Sequence, residues 1–230
     1  MTAPRGAQAA PEVAFLDAGN VGDVNDVADL HEEFLGDSLV VKFGDAFLRK
    51  FYYGTLVRDG LIRSTICRAD GRVVGFFSYT MDQDFMGRGL RRHPVRVLWL
   101  ILVSVVRQPS LIKDVILVLR LLIGGGSETR EAMAGCQSEG LSLAVRPEWT
   151  KAVPTGGESR VTVRLFEELV ADLRREHVRT LCMYVQPLNM ASNLFFSSLG
   201  CDLKQVKRAG LACNRYTYHL QENGPDRVGT

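Results

Sequence analysis

Val185-Gln-Pro-Leu-Asn189-Met-Ala-Ser192-Asn-Leu-Phe195-Phe196-Ser-Ser-Leu-Gly200-Cys201 leads from an apolar strand, Val178 to Val185, into a short helix, Asn189 to Leu199, which Gly200 closes. Upstream, Glu139-Gly-Leu-Ser-Leu-Ala-Val-Arg-Pro-Glu-Trp149 predicts a strand over Gly140 to Val145. Arg146 to Gly157 is a loop with two prolines and a glycine pair, and Glu158 to Arg175 is the clearest helix in the chain. Its Val161, Leu165 and Leu169 share one face, with Glu167, Glu168, Arg174 and Arg175 left for solvent. From residue 139 the order is therefore strand, glycine-bearing loop, helix, strand, helix. A loop whose backbone N–H groups open a helix is a phosphate-binding device.

Working outward, Val13 to Ala18 predicts a first strand and Val24 to Leu35 a helix. Phe43, Phe47, Leu48, Phe51 and Tyr52 repeat at helical spacing up to Asp59-Gly60. Leu61 to Arg68 and Val73 to Met81 are strands around Asp70-Gly71, a strong two-residue hairpin turn. Two further strands are expected near Leu203 to Val206 and Arg215 to Leu220. Residues 1–11 are Ala-, Pro- and Gly-rich, without the apolar run of a signal peptide, and predict a disordered leader. Residues 223–230 predict a loose tail, leaving 12–222 as a single domain.

At 230 residues, with 46% hydrophobic and 23% charged, the chain buries a core without a disulfide or metal staple. Twenty-eight basic against 26 acidic residues argue against a nucleic-acid binder working through a large basic face. The five cysteines stand singly, at no zinc spacing. Their odd number suits a reducing compartment, with the thiols as small buried apolar residues, so a cytoplasmic location is expected. The four histidines, His31, His93, His177 and His219, are isolated, and no Gly-x-Ser-x-Gly elbow supports a serine hydrolase.

Residues 85–126 break the rhythm of strands and helices. Arg88, Arg91, Arg92, His93 and Arg96 form a basic cluster, Val97 to Val106 is almost wholly apolar, and Leu111 to Ile123 resumes before three glycines. The longest uninterrupted apolar stretch is about half the ~20 residues a membrane span needs. We read two helices and a flexible exit. They pack on the domain, form a lid over an acceptor site, form a homodimer surface, or touch a membrane peripherally, with arginines at headgroups and Trp99 below.

The two quoted stretches resemble the GCN5-related N-acetyltransferase superfamily. Glu139 to Trp149 is similar to its central strand and exit loop. Asn189 to Cys201 is similar to its Asn-x-x-Ala-x-x-Phe-Tyr-x-x-x-Gly-Phe signature, gapless from Asn189 to Gly200. The resemblance is specific from Glu139 onward and generic over Val13 to Met81, and residues 85–126 are an insertion. It implies an α/β fold with a mixed, mostly antiparallel sheet splayed between its fourth and fifth strands and flanked by helices. It also implies acetyl-CoA as co-substrate, no metal, and direct attack of a small-molecule amine on the thioester. Leu143, Ala144 and Val145 pair with the pantetheine arm, Gly156, Gly157, Glu158, Ser159 and Arg160 receive the pyrophosphate, and Asn189 and Phe196 complete the cofactor site. Glu139 is the implied general base, because an ammonium must lose a proton before it attacks.

Three departures from the family pattern stand out. The phosphate loop aligns either from the helix, placing its glycines on Gly157 and Ser159, or from Trp149, placing them on Val153 and Thr155. The helix-anchored version is preferred, because amides point at phosphate only at a helix start. Lys151 or Arg160 supplies charge there. The usual tyrosine acid is replaced by Phe196, which has no proton to give, and Tyr184 nearby is expected to be structural. Ser192 and Cys201 replace an alanine and an aromatic residue. Alternatives to the acetyltransferase are a CoA-binding or interaction protein with little turnover, and a transferase of longer acyl chains.

Overall fold

The computed structural model describes residues 11–107, 109, 112, 134–150, 160–208 and 210–220. Among these residues, seven strands form one sheet in the order β1-β2-β3-β4-β5-β7-β6. The strands are β1 (Glu12–Phe15), β2 (Arg63–Ala69), β3 (Arg72–Thr80), β4 (Ser138–Val145), β5 (Thr180–Val185), β6 (Asp202–Arg208) and β7 (Leu211–His219). Neighbours pair antiparallel except β4 and β5, which run parallel. The mixed, mostly antiparallel sheet expected from the sequence is present.

The β2–β3 hairpin turns on Asp70 and Gly71 with φ of 51° and 77°. Both residues lie in the left-handed region that a type I′ turn demands, which is why Asp-Gly serves there. β4 and β5 are instead joined through helix α7 (Val161–Arg175), since parallel strands need a crossover. Leu165, Leu169 and Leu173 of α7 are fully buried against Phe77, Leu181 and Met183 of the sheet. Helix α8 (Met190–Ser198) closes the same side through Phe196.

The opposite face of the sheet is covered by helix α1 (Val21–Phe34), capped by Asn20, whose side chain accepts from Gly22 and Asp23 N–H. Short helices α2 (Leu39–Lys42) and α3 (Asp45–Phe47) follow. Where the aromatic spacing predicts one regular helix, Leu48–Leu56 is a π-helix that buries Phe51, Tyr52 and Tyr53. Six consecutive residues, Phe51 to Leu56, are buried, so the segment is enclosed on every side.

The insertion begins with α4 (Phe85–Arg92), so most of the basic cluster lies on a helix of its own, and continues in α5 (Pro94–Arg107). Pro94 at the first position suits a helix start, where no N–H is needed. The second insertion helix expected from the sequence, Ile112 apart, lies outside the described residues, as do the tail and residues 1–10 of the leader; Pro11 is buried, and its carbonyl accepts from Arg164. α6 (Pro147–Thr150) follows β4. No described helix is long and apolar enough to cross a membrane.

Candidate active site

β4 pairs with β3 along its length, but it touches β5 only where Ser138, Glu139 and Gly140 oppose Leu181, Cys182 and Met183. Beyond Gly140 the two strands part. The cause is local. Ser142 opposes Ser78 and Gly140 opposes Tyr79, so Leu141 is an extra residue and the strand bulges. Gly140 is required at this fork. A Cβ there would lie 2.9 Å from the Met183 side chain and 3.1 Å from the Phe77 ring. From Leu141 to Val145, no strand of the described residues pairs with the β5-facing edge of β4.

The gap is a cleft of about 400 Å³. β4 lines it with Gly140 to Leu143, β5 with Met183 to Val185, α8 with Ser192 and Phe196, and the end of α1 with Phe34. Asn189 sits at its edge, and its side-chain oxygen accepts the Ser192 N–H, capping α8. Phe196 is buried against Phe77, Phe195 and Tyr216 at centroid distances of 5.1 to 6.3 Å. Ala144 and Val145 turn their side chains into the two cores on opposite faces of the sheet. Arg160 occupies the N-cap of α7. Gly156, Gly157, Glu158 and Ser159, together with Lys151, Val153 and Thr155, lie outside the described residues.

Glu139 is buried on the α1 side of the fork, and both its oxygens are taken. Arg208 of β6 donates to them at 2.5 and 3.1 Å. Burial opposes the guanidinium charge, but the attraction and hydrogen bonds of Glu139 outweigh it and raise the Arg208 pKa. Arg208 also stacks over the Tyr184 ring at 4.3 Å. Burial first, and then the Glu139 carboxylate, push the Tyr184 phenol up to about 12. Tyr52, fully enclosed, is raised by the same two causes against an opposing hydrogen bond from Ser142. The implied base therefore lies under two protonated phenols and one arginine. Tyr184, expected to be structural, lines the cleft.

A second buried network reaches the cleft from α1. His31 is fully enclosed, with Nδ1 2.6 Å from the Tyr53 hydroxyl and Nε2 3.0 Å from Ser38 Oγ. Desolvation lowers the imidazole pKa to about 4 and holds the Tyr53 phenol well above its ordinary range. A neutral imidazole donates from one ring nitrogen and accepts at the other, so one of these two contacts is a donation by the ring and the other a donation to it. Ser78 bonds Tyr53 in turn, with Ser64 2.5 Å beyond it. His93 and His219 pair with Asp59 and Asp202, and His177 takes a left-handed φ of 57° just past α7.

The cysteines are not all the free thiols expected from the sequence. Cys136 and Cys182 form a disulfide with Cα atoms 5.8 Å apart. They stand 46 residues apart in sequence, and only the parallel pairing at the fork brings them together. Cys67, Cys201 and Cys213 are free. Arg208, Tyr52 and Ser142 carry no local sequence signal, because the pairs they form cross three elements. Among the described residues no three His, Cys, Asp or Glu side chains group as a metal site.

A sheet forked between a parallel β4 and β5, with helices on both faces and a cleft in the fork, is the fold of the GCN5-related N-acetyltransferases. Solved structures that share it include a putative acetyltransferase from Salmonella typhimurium holding acetyl-CoA. It is 17% identical, with a TM-score of 0.51 over 95% of this chain and 99% of that one. An agmatine N-acetyltransferase is 13% identical at a TM-score of 0.53, covering 92% of this chain and all (100%) of its own. An N-acyl amino acid synthase from uncultured soil microbes is 15% identical at 0.51, covering 93% and 92%. No family model matches the chain. No curated protein matches it either.

Proposed function

We propose that the protein is an acetyl-CoA-dependent N-acetyltransferase that passes the acetyl group directly to the amine of a small molecule, such as an amino sugar, an amino acid derivative or a biosynthetic intermediate. The observation that carries this reading is the fork. The edge of β4 from Leu141 to Val145 presents backbone donors and acceptors to a cleft instead of to β5. An amide-bearing pantetheine arm satisfies such an edge as a strand would. The loop over Gly156 to Ser159, with Arg160 at the α7 N-cap, takes the diphosphate, and Asn189 and Phe196 flank the arm. The thioester then lies near Gly140 and Tyr184.

Acetyl transfer needs a proton removed from the ammonium and a thiolate released. Glu139 is the carboxylate at the fork and takes the first proton. Because Arg208 engages both its oxygens, it acts through a water or after releasing one hydrogen bond. Phe196 gives no proton. A thiolate of pKa near ~8.5 leaves without one around neutral pH.

The same Arg208 clamp, together with Phe196, favours a second reading: a CoA-binding protein of this fold with little turnover. Titration with acetyl-CoA, followed by thiol-release assays across an amine panel, separates the two. Thiol release dependent on one amine class supports the transferase. Saturable binding without release on any amine supports the second reading, and absence of binding refutes both.

A further inference from the structure

We propose that helix α5 is a membrane-surface anchor that docks the protein on an anionic bilayer. The helix has two faces. Val97, Leu100 and Ser104 turn inward, with the Ser104 hydroxyl against the Phe43 carbonyl, and this fixes the helix on α3 and the π-helix core. Val95, Leu98, Trp99, Leu102 and Val106 turn outward and are 52% to 81% exposed. Their spacing of three and four residues makes one continuous apolar stripe, roughly 16 Å long at the rise of an α-helix. Single exposed apolar residues are ordinary, but an aligned row of five that includes a tryptophan marks a surface meant to be covered.

Charge selects what covers it. Residues 85–107 contain Arg88, Arg91, Arg92, Arg96 and Arg107 and no carboxylate. Arg88, Arg91 and Arg92 meet Asp82, Asp84 and Asp59 from neighbouring loops, yet their side chains remain at least half exposed. Among the described residues, Arg96 reaches the Lys50 carbonyl and no carboxylate. The α4–α5 unit is thus left net positive, and Arg96 stands beside the first turn of the stripe. A second copy laid on this stripe sets one net-positive unit against another. An anionic lipid surface instead accepts the arginines at its phosphates, and Trp99 and the aliphatic side chains sink below them. The anchor belongs to the α1 and π-helix layer, the side of the sheet on which Glu139 and Tyr52 lie. The inference stands independently of the reaction in the cleft.

The test is co-sedimentation of the full chain with vesicles of phosphatidylcholine alone, and with vesicles of equal parts phosphatidylcholine and phosphatidylglycerol. Binding is expected to the mixed vesicles, weakened by salt. Replacing Trp99 and Leu102 together by glutamine, on a face that makes no core contacts, should weaken binding ~10-fold or more and leave the thermal midpoint unchanged. No sedimentation with the mixed vesicles, or sedimentation unaffected by the double substitution, overturns the proposal. A dimer in solution that the same substitutions dissolve also overturns it, in favour of self-association.

Discussion

Arg208 holds both carboxylate oxygens of Glu139 although the two residues are 69 apart in sequence. β6 is the far edge of the sheet, two strands away from β5, and its last residue reaches back over β7 to the fork. Arg208 supplies the counter-charge to a carboxylate enclosed at the fork. The pair is therefore part of how the fork closes on the α1 side, and any proton transfer at Glu139 passes through it.

Glu139→Gln keeps the shape and removes the proton acceptor. At neutral pH turnover should fall ~10²–10⁴-fold, and the loss should shrink as pH rises and the amine becomes neutral without help. A loss that is equal at all pH values would assign Glu139 to positioning alone. Arg208→Met leaves a buried carboxylate uncompensated and should destabilise by about 2–3 kcal/mol, below the ~3–5 kcal/mol of a fully buried pair because the Arg208 side chain is 31% exposed. Adding Glu139→Gln should restore part of that loss in urea titrations. Simple additivity of the two substitutions would mean the pair is not coupled.

His31 predicts an acid-sensitive fold. Its imidazole is neutral in the folded chain, with a pKa lowered from 6.5 to about 4 by burial. An unfolded chain takes up a proton there below pH 6.5 while the folded chain resists. The contribution is therefore complete above pH 6.5 and is lost progressively as pH falls toward 4, by roughly 3 kcal/mol. His31→Gln cannot titrate. The stability difference between wild type and variant should narrow from pH 7 to pH 4.5, and a constant difference would contradict the neutral assignment.

The Cys136–Cys182 bond is checked by counting. Denatured without reductant, the chain should expose three reactive thiols, and after reduction five. Five thiols before reduction would show the pair reduced as isolated. Closing a loop of 46 residues is worth about 2–4 kcal/mol, so Cys136→Ser should lower stability by that amount.

The sequence makes local features plain and hides those that depend on strand order. Asp70-Gly71, the Val161 helix face and the Asn189 to Gly200 segment are each set by neighbours a few residues away, and all lie where expected. Pairing between Cys136 and Cys182, between Glu139 and Arg208, and of His31 with Tyr53 depends on which strands and helices come to lie side by side. Residue type and spacing do not encode that order. The π-helix escaped for a different reason: its aromatic residues also satisfy an α-helical period over short windows.

Phe196 stands where the sequence resemblance puts a tyrosine acid, and under the proposed function it offers the sharpest test of what limits the reaction. The ring is 4% exposed, between Phe77 and Tyr216, and it borders the cleft. Phe196→Tyr adds one hydroxyl, which needs a partner or a water to avoid a burial penalty of about 1–3 kcal/mol. The cleft edge provides room for that water, so the variant should fold with little change in midpoint. Suppose thiolate protonation limits the rate. The new hydroxyl then accelerates turnover across pH 6 to 9, where a phenol of ordinary pKa near ~10 keeps its proton. Suppose instead that amine deprotonation at the clamped Glu139 limits it. The rate then barely moves. The second outcome is expected, because a thiolate leaves readily, whereas an amine of pKa near ~10 must first surrender a proton to a carboxylate that Arg208 already occupies. Steady-state kcat for wild type and variant between pH 6 and 9 decides the matter. A gain of tenfold or more, ~1.4 kcal/mol of barrier, would locate the slow step at the sulfur and favour the low-turnover reading.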